Sequence, residues 1–530
     1  MRITTAPAAR LVVVSLLATS ALYAWVARFH PDSGDIGVPA VAADTVGNVY
    51  LCASVPGSGG SDYLVVKYGP NGNEQWSRTW DGPAQGEDIP ASVAADGLGR
   101  VFVTGRTATA VGAAFGTVCF APSGESLWAG IHDTLFAGDD AAVAVVPAGS
   151  GNCYVVGTAA RGTGREKDIA VVFYDSLGTA EWAEYYNGPG RTLDSATCAA
   201  LDDDGYVIAV GVSAGFNDTL DYVLLRYSPE GQRTWFDRQR ADSTAIPRAV
   251  HIDHTGGINV TGSAYYGPVT GWDAFTVKYN ANRSLRWTMR YNGPGSTNDH
   301  GLSVDTDLDT NLYVAVLSHD NDSHLDVVGH YPDGQRIGTT SLPLSEDSTW
   351  LHAGIFALRI GGFAVAVPSR DTSSQWNYTF QGFDRDFEPT WASSYDGFGL
   401  DDLTTGHCRV SAQDLCVTGR SLNSSGSWDA ATVVLPIAGP GIAGQPRRGL
   451  ATLRVSPNPA RSRLAVSLPC ACTEATRVSL VDRVGRTVHA RTVAGTTGET
   501  TIPLRNISPG VYFVRLEPGL AAPAAIVILD

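Results

Sequence analysis

The chain has 530 residues, with 37 Lys and Arg against 53 Asp and Glu and a formal net charge of −16. This length gives more than one domain and ample core, and the acidic balance argues against nucleic acid or an anionic membrane as partner. Eight cysteines are too few to frame a chain of this size with disulfides.

Residues 1–24 place Arg2 and Arg10 before an apolar run and then small residues, the order of a secretory signal peptide. The apolar run is short for a membrane anchor. Cleavage is expected near Ala21 or Ala24, leaving no membrane span, with an uncleaved anchor as the rival reading. From Trp25 onward a tryptophan returns about every 52 residues, at Trp76, Trp128, Trp182, Trp235 and Trp287, then Trp391 after a mark missing near Ile337. Between the marks lie four short runs rich in Val, Tyr and Thr, separated by Gly, Asn, Asp or Pro. Four strands per unit of this length is the arithmetic of a β-propeller blade.

The turn before the second strand of each unit ends at Asn48, Arg100, Asn152, Tyr206, Ile258, Asn311, Phe363 and Asp414, which counts eight blades over residues 25–437. Seven is the alternative if the weak sixth or seventh unit has decayed. The last unit lacks its tryptophan strand, and the chain opens with an orphan copy of it, WVARFHPDSGDIG (25–37). That strand is expected to complete the last blade and close the ring. The units, with WAEYYNGPG (182–190), DYVLLRYSPEGQRTW (221–235) and WTMRYNGPG (287–295), resemble the bacterial β-propeller repeats of SBBP type. QWNYTFQGFD (375–384) keeps only the outline.

A Gly/Pro linker (438–450) leads to residues 451–530, whose alternating runs read as a small Ig-like β-sandwich. Pro457-Asn458-Pro459, the turn from Asp482 to Gly485, and Gly510 with Tyr512 resemble the type A C-terminal sorting domain of the type IX secretion system. The resemblance implies export across a Gram-negative outer membrane by way of the periplasm, with the type IX machinery as partner. The terminal strand AAIVILD departs from the pattern, since such domains commonly carry lysine there. A generic accessory sandwich is the plainer alternative.

Candidate chemistry is sparse. Gly211-Val212-Ser213-Ala214-Gly215 matches the nucleophile-elbow spacing but lies between blade strands, where no strand-to-helix turn exists. Asp202-Asp203-Asp204 and Asp305-Thr306-Asp307-Leu308-Asp309 resemble calcium loops, the latter without the turn glycine and distal Glu of an EF-hand; no cofactor is expected, with calcium as the alternative. An aspartate precedes the innermost strand in five units, Asp88, Asp140, Asp194, Asp299 and Asp402, with Asp35 one residue out of step. These form either a carboxylate ring at the channel mouth or a set of loop-fixing hydrogen bonds. Phe216, Tyr265, Tyr266 and Trp272 are expected to stand exposed on loops of the same face, as contacts for a sugar or protein. Cys408 and Cys416 could face each other across one hairpin, and Cys52, Cys153 and Cys416 read as small buried hydrophobes. The expectation is a monomeric, non-enzymatic binding or adhesion scaffold, secreted or held at the cell surface. A propeller enzyme, quinoprotein-like or polysaccharide-active, is the alternative.

Overall fold

The structure is a computed structural model. It describes residues 2–5, then 25–436 apart from loop residues 33, 135–137, 162–165, 217–218, 241–242, 296–297, 320–322, 345–351, 360, 371–374, 398 and 413, and finally the strands of 451–528 with residues 504 and 507. Most of the presumed leader, the linker, Pro457, Asn458, Pro459, Asp482 and Gly485 lie outside the described residues.

Eight antiparallel sheets make eight blades, the first seven ordered from the channel outward along the chain. Blade one runs Ala40–Ala43, Val49–Pro56, Ser61–Tyr68 and Glu74–Asp81, and blade five runs Ala245–Ile252, Ile258–Tyr265, Trp272–Tyr279 and Leu285–Tyr291. The eighth takes three strands from Asp402–Arg409, Asp414–Leu422 and Trp428–Pro436, and its outer strand is Trp25–Phe29. The ring therefore closes as the repeat count requires, with eight blades. A departure from expectation lies at Arg2–Thr5, which pairs with Glu74–Asp81 as an extra outer strand. That outer strand offers the free edge such pairing needs.

Each blade is covered on both faces, so its second and third strands are mostly buried, and Val207–Ala214 is buried throughout. Alternate side chains then serve different neighbours. In blade one, Val49, Leu51 and Ala53 pack toward blade eight, whereas Tyr50 and Cys52 pack toward blade two. The core is thus eight separate interfaces rather than one central mass. Tyrosines bond across them: Tyr63 Oη donates to the Gly116 carbonyl at 3.2 Å and Tyr222 Oη to that of Phe275 at 3.1 Å.

The tryptophans belong to these interfaces. Trp76 Nε1 donates to the Pro122 carbonyl of the next blade at 2.9 Å, Trp182 to Pro229 at 2.8 Å and Trp287 to Pro332 at 3.0 Å. Each indole lies under the turn glycine of that next blade. Gly231, at φ +84°, leaves no room for a Cβ above Trp182. Trp25 sits under Gly72 in the same way, so the closing interface repeats the others.

Blade six shows why its mark is missing. Ile337 occupies the tryptophan position, and the next blade's turn carries Phe387 where Gly72, Gly124, Gly178, Gly231 and Gly334 stand in other blades. Phe387 adopts φ 64° and its ring reaches back against Gly329, Gly338 and Ile337. The aromatic has changed sides of the interface, and the volume is kept.

In the C-terminal domain, Arg454–Ser456, Arg463–Ser467 and Glu499–Pro503 form one antiparallel sheet. Thr476–Val481, Thr487–Val493, Gly510–Glu517 and Ala524–Ile528 form a second, with Val478, Leu480, Tyr512 and Val514 buried. This is the small sandwich expected. Among the described residues no helix is long and apolar enough to cross a membrane.

Candidate functional site

The five periodic aspartates stand at the start of the innermost strands, on the face where the loops between blades return. They are 0–2 % exposed, and their carboxylates take up loop donors. Gly82, Gly188, Gly293 and Gly397 N–H donate to Asp88, Asp194, Asp299 and Asp402 at 2.6, 2.7, 2.8 and 2.7 Å. Asp140 accepts from Ala160 N–H at 2.6 Å and Thr134 Oγ1 at 2.9 Å. Buried this deeply and used by the backbone, they pin the loops. Asp35, out of step with them, is exposed and accepts from Trp428 N–H at the start of the third strand of blade eight, at 2.9 Å. Burial raises the pKa of Asp299 to about 6 and that of Asp402 to about 7, with Ser318 or Ser421 and the loop N–H pulling back.

A second family of aspartates sits near the start of the third strands. Asp221 meets Arg238 at 2.7 Å, Asp429 meets Arg28 at 3.2 Å, and Asp273 meets Arg290. Blade one carries Thr79 where those arginines stand, so Asp62 faces Asp81 and Asp88. Desolvation and these two neighbours raise the Asp62 pKa to about 6. This is the acidic cluster among the described residues that could hold a metal ion, though Asp88 already spends both oxygens on Gly82, Thr107 and Ala108. In the two acidic turns, Asp202 holds Arg226 at 2.7 Å, and Asp307 accepts from Asp309 and Asn311 N–H, both at 2.9 Å. The first turn thus meets an arginine, and the second caps its own backbone.

Of the loop aromatics, Phe216 alone is fully exposed, at 82 %. Tyr265, Tyr266 and Trp272 are half-buried, contrary to the sequence expectation. The reason is cross-strand pairing: Tyr265 opposes Trp272 with ring centroids 5.7 Å apart, and Tyr266 is covered by the Arg290 guanidinium at 4.0 Å. Ser213 is buried and accepts from Arg238 at 2.8 Å, with no elbow around it. Cys408 and Cys416 do lie opposite each other, as free thiols.

The channel wall is uneven, and sequence reading missed this. Innermost strands of blades one to four carry small uncharged residues such as Val41, Ala94, Val143 and Ala199. Those of blades five to eight carry Arg248, His251, His300, Asp305, His407 and Arg409, with His352 just before the seventh. Arg409 meets Asp305 at 2.7 Å across the short innermost strand Gly354–Ala357 of blade seven. His251 lies 3.4 Å from the same carboxylate. Nearer the loop face, Trp272, His300 and His319 form a run, at 6.3 Å for each successive ring pair. His300 also shares a hydrogen bond with Ser263 at 2.9 Å. The signal that could have found them is periodic: His251, His300, His352 and His407 recur at close to the blade spacing. Against the stronger Trp and Asp periods it passes as noise.

The C-terminal strands fit one family. Residues 454–525 match the model of the secretion system C-terminal sorting domain. The chain carries a sorting domain. That domain accounts for the second sandwich and implies export of the propeller attached to it. No curated protein matches the chain. Solved structures similar to it include Sqt1 from Chaetomium thermophilum, at 10% identity, covering 76% of this chain and 97% of that one, TM-score 0.48. A protein of unknown function from Dyadobacter fermentans shares 10% identity over 79% of this chain and 97% of its own, TM-score 0.36. The periplasmic gluconolactonase PpgL of Pseudomonas aeruginosa shares 16% over 68% and 99%, TM-score 0.36.

Proposed function

We propose that the chain is a non-enzymatic β-propeller binding module that its sorting domain delivers through the type IX secretion system to the cell surface or the medium. The observation that carries this reading is the sorting domain on a closed ring whose conserved-by-repeat carboxylates are committed to loops. Export needs a passenger stable outside the cell, and a ring without open inner edges is such a passenger. Binding is the use to which loops on so rigid a frame are most readily put. The extracellular partner is a glycan or protein.

Fractionation of a type IX-competent Gram-negative host with the full chain and with residues 451–530 deleted tests the export half. The full chain is expected outside and the truncation in the periplasm; equal delivery of both would overturn it. A glycan array probed with the exported chain tests the binding half. Dye-linked turnover with pyrroloquinoline quinone and calcium would replace the binding module with an enzyme.

A further inference from the structure

Among the described residues Arg248 makes no hydrogen bond or ion pair. It occupies the bulge of the innermost strand of blade five, between Pro247 and Ala249. The same bulge occurs in five other blades, where the residue is Ala91, Val143, Thr197, Leu302 or Thr405. A charge at that place is found in blade five alone. Arg248 is solvent-exposed, yet desolvation lowers its pKa and no carboxylate offsets this. His352 shows the same pairing of exposure with a pKa lowered by burial and by Arg248. Arg248 lies on one innermost strand and His352 just before another, and the innermost strands wall the channel. Burial and Arg248 also hold His300 down, to about 4.

In a protein of net charge −16, an exposed arginine on an innermost strand with no counter-charge is free to meet an anionic ligand. Its planar fork suits a carboxylate. On the strands around it, the half-buried run from Tyr265 through Trp272 to His300 offers flat ring faces of the kind that stack on sugar rings. We propose that the channel mouth at blades five to seven binds an acidic saccharide, with its carboxylate on Arg248 and an adjoining sugar ring on Trp272 and His300. This rests on the binding-module reading and names the ligand class for it. His352 flanks the carboxylate and stays neutral at pH 7, and Arg290 near Trp272 is already paired with Asp273, which leaves Arg248 as the unpaired charge.

The test is calorimetric titration of the full chain with trigalacturonate, its methyl ester and inorganic phosphate. The acid is expected to bind, and the ester to bind at least tenfold more weakly. Arg248→Gln should lose at least tenfold in affinity for the acid with an unchanged melting temperature, because the side chain has no partner to lose. Trp272→Ala should weaken both saccharides. The ester comparison uses the unaltered chain and does not depend on any variant folding. Absence of binding, equal binding of acid and ester, phosphate binding as tight as the acid, or indifference to Arg248→Gln would each overturn the proposal. A neutral glycan captured on the array independently of Arg248 would remove this site and leave the binding module standing.

Discussion

Single residues set how the interfaces respond to pH and to substitution. Asp402 is fully buried, and desolvation raises its pKa to about 7, above the unfolded value of about 3.9. The folded state therefore holds a proton that the unfolded chain has released across this window. Its contribution is fully present below about pH 4 and is lost as pH rises toward 7. Asp402→Asn keeps an acceptor for Gly397 N–H and removes the charge. It should stabilise the protein by at least about 1 kcal/mol at pH 8 and by little at pH 4, read as melting temperatures; the opposite order would contradict the burial argument. Phe387 offers a sharper case. Phe387→Gly relieves a positive φ but empties the interface, at a cost of about 2–4 kcal/mol. Adding Ile337→Trp restores the arrangement of the other blades and should recover at least about 1 kcal/mol in urea unfolding. Strictly additive effects would show that the two positions do not share one space. The sequence displayed both anomalies, a lost tryptophan and a non-glycine turn. Only the interface shows that one fills the other, since they lie on different blades.

Among elements, Trp25–Phe29 bears the most on the whole. It pairs with Trp428–Pro436, and Arg28 bonds Asp429 at 3.2 Å with both side chains almost fully buried. Removing one member of such a pair strands the other charge. Asp429→Asn should cost about 3 kcal/mol and open blade eight to protease earlier than other blades. The exported protein must also retain this strand, so its intact mass should place the mature N-terminus at or before Trp25. A mature chain beginning beyond Phe29 would leave blade eight without its outer strand. The closing strand was legible because it repeats the strands at Trp182 and Trp287. The extra pairing of Arg2–Thr5 was not, for edge pairing is set by backbone groups that leave no side-chain pattern.

At the scale of the molecule, repetition explains both what could be read and what could not. A period of about 52 residues fixes the number of blades, their strand order and the closure of the ring, because each blade must meet two neighbours built to the same plan. The sorting domain was legible for a related reason: its turns and strands form a linear pattern. The channel was hidden. Arg248, His300 and His352 lie in three different blades, and nothing along the chain says that they face one space. The periodic aspartates were ambiguous in the same way, since a ring of carboxylates and a set of buried loop pins have identical spacing. Local sequence dictates strands, turns and their count, through propensity and period. Burial, and which charges find a partner, depend on where neighbouring blades put their side chains, and the tertiary structure alone decides that.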